Sequence, residues 1–210
     1  MSSFNPIGDV GRTLRSLLLD GTVTWDLSEE QVALTSPEEF DPDEGGLSIH
    51  LYRLVENEHA SNQRPGGGGR TADAPLVLEL YYLVTAHPPN GGPVGTDDTL
   101  EQHRLLSRAI HAFEERAVVR PPDLLGALAD GPPLHITMGT GDDGRVMDVV
   151  GMFGNGPPRP SVSYRVTPVI IEPTAAEAGP RVVETTMEYL ARSDGVDGAD
   201  GSDDDTAERP

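Results

Sequence analysis

Neither cysteine nor lysine occurs anywhere in the 210 residues, and tryptophan occurs once, as Trp25. Without cysteine the chain can form no disulfide, no thiolate metal site and no cysteine nucleophile. Without lysine it can hold no phosphate loop of the Gly-Lys-Ser/Thr kind, even at the glycine-rich stretch from Gly139 to Gly144. All 15 basic residues are arginine, against 35 acids, for a formal net charge of −20. Binding a polyanion needs clustered cations that displace counterions, and no such cluster exists, which excludes nucleic acid as a partner. No apolar run approaches the roughly 20 residues of a membrane span. The N-terminus also lacks a charged region followed by an uninterrupted apolar one, so the expectation is a protein made and kept in the cytoplasm.

The acidity belongs to the body of the chain as well as to its end. Residues 193–210 hold seven acids and one base, a contribution of −6 that leaves −14 on residues 1–192. Uniform charge of this kind destabilises a compact state by self-repulsion, and salt relieves it by shortening the screening length. Lysine-free acidity reads as salt adaptation, with arginine-rich codon usage in a GC-rich genome as the alternative. The length fits one folded domain, 1–192, followed by a disordered acidic tail, 193–210.

The stretch from Pro75 to His87 is apolar on both faces at period two, with Leu76, Leu78, Leu80, Tyr82 and Val84 on one and Val77, Tyr81 and Leu83 on the other. That pattern predicts a strand in the middle of a sheet covered on both sides. Upstream, Asn5-Pro6 caps a helix whose Ile7, Val10, Leu14, Leu17 and Leu18 form a stripe ending at Asp20-Gly21. Thr22 to Asp26 and Val32 to Leu34 read as short extended pieces. Leu47 to Val55 reads as a half-polar strand with Leu47, Ile49, Leu51, Arg53 and Val55 on one face. The Gly-rich residues 57–74 predict a long mobile hairpin connection to the central strand.

Further on, Thr99 to Gln102 has capping-box spacing, and Leu106, Ala109, Ile110, Phe113 and Ala117 give the stripe of a second helix, stopped by Pro121-Pro122. Asp123 to Ala129 suggests a helical turn, Leu134 to Met138 a strand, and Arg145 to Phe153 weak helix. Ser161 to Glu172 alternates, with Val162, Tyr164, Val166 and Ile170 inward and Pro168 demoting that end to an edge or a bulge. Arg181 to Leu190 suggests a last strand. Together these predict an α+β fold, a mainly antiparallel mixed sheet with two principal amphipathic helices packed on it.

No catalytic or cofactor site is expected. There is no Gly-x-Ser-x-Gly elbow, the six histidines include no i, i+4 pair, and Asp142 and Asp143 lack the partners of a calcium loop. Each histidine reads as solvated or singly hydrogen-bonded. The expected cofactors and metals are therefore none.

Four pieces in order carry a resemblance: Leu47 to Asn57 with its closing Glu-Asn, Pro75 to Ala86, the Glu101-Gln-His-Arg-Leu-Leu106 helix start, and Ser161 to Val166 followed by Val169-Ile-Ile-Glu172. Over about residues 5–190 the chain resembles the N-terminal domain of the cap, or tail-terminator, proteins of extracellular contractile injection systems, the phage-tail-like particles of the antifeeding-prophage and Photorhabdus virulence-cassette type. It departs where Asp148 to Phe153 replaces an expected tryptophan, and in its acidity and tail. The resemblance implies a tail-terminator-like fold and a non-enzymatic protein. Such a protein forms a ring, a hexamer, at the baseplate-distal end, where it stops tube and sheath growth and anchors the sheath, in a particle released from the cell.

A sheath that links its subunits by extended arms needs a strand edge to receive the last arm. The Ser161 to Ile171 segment is the expected edge, with Val162, Tyr164, Val166 and Pro168 as the candidate sheath or subunit interface. Two other readings stay open. One is a tail-completion or connector protein of a head-bearing virus. The other is an unrelated small hydrolase working through a carboxylate such as Glu79, although an acid within a central strand reads first as a structural hydrogen-bonded one.

Overall fold

The structure, a computed structural model, describes residues 5–20, 27–43, 45–57, 75–89, 95–139 and 159–172. Helix α1, Pro6–Leu19, begins as its sequence dictates: the Asn5 carboxamide oxygen accepts from the Gly8 amide at 3.1 Å, and Pro6 fills the first turn, where its missing N–H is no loss. Its buried side chains Val10, Leu14, Leu17 and Leu18 are the predicted stripe.

Six strands follow: β1 Val32–Ala33, β2 Gly46–Glu56, β3 Leu76–His87, β4 Val118–Val119, β5 Leu134–Met138 and β6 Ser161–Ile171. They form one sheet in the order β1-β2-β3-β6-β5-β4, antiparallel throughout except for the parallel β1–β2 pair. The predicted β2–β3 hairpin is present, and the Asn57 amide closes its ladder on the Val77 carbonyl at 2.8 Å. The rest of the Gly-rich connection, 58–74, lies outside the described residues, as do 21–26, 140–158 and everything after 172. The extended, turn, helical, strand and tail expectations made for those stretches lie outside them too.

Two register shifts correct the face assignments, because one extra residue flips every side chain beyond it. Leu51 pairs with Tyr82 but Arg53 pairs with Tyr81, so Tyr52 is the extra residue. Leu47, Ile49 and Leu51 share a face, as expected, but Arg53 and Val55 move to the other. In β6 the shift lies between Val166 and Val169, opposite Leu78 and Leu80. Pro168 therefore sits in a bulge, and Val169 rather than Ile170 is the fully buried residue.

Helix α2, Thr96–Glu115, starts four residues earlier than expected. The Asp98 carboxylate accepts from the Gly95 amide at 2.9 Å, and the Thr99 hydroxyl donates to the Gly95 carbonyl, so the cap is built one turn upstream. Its buried residues are Gln102, Leu105 and the predicted Ala109 and Phe113, with the predicted Leu106, and Ala112 beside it, packed partly against the core.

Both helices lie on the same face of the sheet. Phe113 meets Tyr164 edge to face at 4.8 Å, Gln102 donates to the Ala86 carbonyl, and the Tyr82 hydroxyl donates to the Ile7 carbonyl. The core is this layer, in which Leu14, Leu47, Ile49, Leu80, Val84 and Val166 are almost fully buried. Each such aliphatic side chain contributes about 1.5–3 kcal/mol.

Coverage of the second face of β3 is partial. Leu83, Thr85 and His87 are buried, but Val77, Glu79 and Tyr81 are only half-buried. That half-open face is where polar chemistry collects.

The expected turn near Asp123 to Ala129 is a single 3₁₀ turn, Gly126–Leu128. It is held to α1 by the buried Asp9 carboxylate, which accepts from the Ala127 amide at 2.9 Å and pairs with Arg12 at 3.0 Å. Gly126 has a φ of +61°, and a Cβ there would collide with that carboxylate, so only glycine suits both the backbone and the space.

Candidate interaction surface

The second face of the sheet carries two polar clusters, and each bears on what the protein can do. The first lies at the end of β3. His87 Nε2 lies 2.8 Å from the Ser48 hydroxyl, and His87 Nδ1 lies 2.8 Å from Arg159 Nη1, which also donates to the Pro37 carbonyl at 2.7 Å. The Phe40 ring meets the imidazole edge-on at 5.0 Å.

A guanidinium only donates, so Nδ1 must accept and the ring proton must sit on Nε2. Nε2 then donates to Ser48. That is the reverse of the arrangement in which a histidine takes a proton from a serine, and Ser48 is completely buried besides. Burial, and secondarily the Arg159 charge, push the His87 pKa down to about 3. The cluster is a structural clamp around a neutral imidazole, and His87 is neither solvated nor singly bonded, contrary to the expectation for the chain's histidines.

The second cluster centres on Glu79. Its carboxylate accepts from Asn57 Nδ2 and from the Tyr81 hydroxyl, each at 3.1 Å, and lies 3.8 Å from Arg165 Nη1. Burial and this hydrogen bond raise the Tyr81 pKa. The Arg53 guanidinium lies over the Tyr81 ring at 5.1 Å, and Tyr52, displaced by its bulge, meets the same ring and bonds to the Ser163 hydroxyl. Glu79 is thus the hydrogen-bonded acid that its place in a central strand predicts. A half-exposed group of tyrosines and arginines on a rigid sheet has the composition of a protein-contact surface. Among the described residues no group of three or more His, Cys, Asp or Glu is placed to hold a metal ion.

The structure places the four sequence-predicted interface residues differently from one another. β6 is an interior strand, paired with β3 along its length and with β5 from Tyr164 to Thr167, so the edge that strand addition requires is covered there. Tyr164 and Val166 are core residues, whereas Val162 and Pro168 are half-buried. The reading of Ser161 to Ile171 as an edge is corrected over Tyr164 to Thr167, the part that β5 covers.

Sequence reasoning missed Arg159, Tyr52, Arg53 and Arg165. Arg159 meets its partners 72 and 122 positions away, a separation that leaves no local signal. Arg53 joins Tyr81 because the bulge reverses the alternation of β2, and Arg165 because β6 pairs with β3 opposite Tyr81.

The sequence profile of the Pvc16 N-terminal domain matches residues 9–185. No curated protein matches. Two solved structures are similar. One, the sheath/tube terminator of the extracellular contractile injection system PVC in its extended state, has a TM-score of 0.54 at 15% identity, covering 90% of this chain and 66% of that one. The other, the tube-terminating cap of the anti-feeding prophage, has a TM-score of 0.49 at 17% identity, covering 86% of this chain and 60% of that one. The chain thus spans less than two thirds of the length of either.

Proposed function

The chain belongs to the Pvc16 N-terminal domain family, and from that premise we propose that it caps the baseplate-distal end of a contractile, phage-tail-like injection particle. In this role it ends tube and sheath growth, anchors the sheath, and catalyses nothing. The observation that carries the reading is the family match over residues 9–185, and the fold shared with a sheath/tube terminator over 90% of the chain supports it. The Glu79 carboxylate, on which the hydrolase reading rested, accepts from Asn57 and Tyr81, and this structural engagement favours the cap reading over the hydrolase one.

The partners in this reading are copies of the chain in a ring, hexameric to match a sixfold tail, together with the last layer of sheath and tube. Assembly takes place in the cytoplasm and the finished particle is released. Val162 and Pro168, half-buried on β6, are the members of the predicted interface that a sheath segment can reach, while Tyr164 and Val166 support them from the core. Deleting the gene should leave sheath–tube particles of unregulated length in electron micrographs, and the wild-type gene should restore a narrow length distribution. Particles of normal, uniform length in the deletion strain would refute the role.

We also propose that the fold is adapted to salt. Self-repulsion among a net −20 is relieved as the screening length falls from about 10 Å at 0.1 M to about 3 Å at 1 M. Relief of about 3 kcal/mol would raise the unfolding midpoint by about 10 °C. Calorimetry in about 0.1 M and about 2 M potassium chloride tests this, and a midpoint that is flat or falls overturns it.

A further inference from the structure

We draw no further inference here: the strongest candidate, the half-exposed patch of Tyr52, Arg53, Tyr81 and Arg165 on the second face of the sheet, carries none, because Arg165 is already paired with Glu79 and Arg53 lies over Tyr81, and nothing in the structure shows what covers it.

Discussion

Acidifying the protein from pH 6.5 to pH 3 should remove about 4 to 5 kcal/mol of stability through His87 alone, at about 1.4 kcal/mol per pH unit. In the folded chain the imidazole is neutral, its pKa pushed from 6.5 to about 3 by burial and by the guanidinium of Arg159. In the unfolded chain it titrates near its ordinary value. Below pH 6.5 the unfolded state therefore binds a proton that the folded state refuses, and stability falls as pH falls. Above 6.5 neither state binds it and the contribution is constant; below 3 both do and the loss stops growing.

The cause is geometric. Protonation would place a proton on Nδ1, facing Arg159 Nη1 at 2.8 Å, so the clamp between Pro37, His87 and Ser48 must open before the ring can charge. The His50 pKa is also lowered, by burial that Glu39 opposes, which adds a change of the same sign. Denaturant titrations from pH 7 to pH 4 on the wild type and on His87→Gln isolate the effect. The variant should be less stable at pH 7, where it lacks the fitted imidazole, and its pH slope should be shallower by about 1.4 kcal/mol per unit. Parallel slopes for the two proteins would show that His87 is not held neutral.

What the sequence made legible follows from the range over which each signal acts. The central place of β3 is written within thirteen residues, Pro75 to His87, and the α1 stripe within twelve. Both are periodicities that burial imposes locally. The antiparallel β2–β3 pair follows from two apolar runs joined by a Gly-rich connection. The bulge at Tyr52 was not legible, whereas Pro168 marked its end of β6 as an edge or a bulge and lies in a bulge. Placing Tyr52 out of register costs the sequence no change in its alternation, but it reverses which side chains meet the core, and so it moved Arg53 and Val55 onto the face of Tyr81.

The interior position of β6 was hidden for a different reason. Only five residues of β5 cover it, and the alternation of those five is equally compatible with an edge or a neighbour. The contact surface itself had no signature, because its parts are brought from β2, β3 and β6 by pairing. The proposed capping function had its only sequence signal in a resemblance carried by the order of four segments.

Phe113→Ala should cost about 3 to 5 kcal/mol, the range for emptying a buried aromatic site. Phe113 is almost fully buried, and its ring meets Tyr164 at 4.8 Å with the planes at 73°, an edge-to-face pair worth a further fraction of that loss. The pair is the point at which α2 is fastened to β6, so the loss should appear in global unfolding as an earlier denaturant midpoint. Tyr164→Phe gives the complementary result. The Tyr164 hydroxyl is buried with no hydrogen-bond partner among the described residues and burial raises its pKa, so removing it takes away an unsatisfied polar atom while keeping the ring. That variant should be as stable as the wild type or more so.

The two outcomes together distinguish a residue that packs from one that recognises a partner. If Tyr164 acted mainly through its hydroxyl in a sheath interface, Tyr164→Phe would fold normally and produce particles of irregular length. If it acts as the core side of the α2 anchor, Tyr164→Phe particles should be uniform in length. Phe113→Ala, on the surface of no interface, should then impair capping only in proportion to the protein it leaves folded. Length distributions plotted against folded fraction for the two variants decide between these roles.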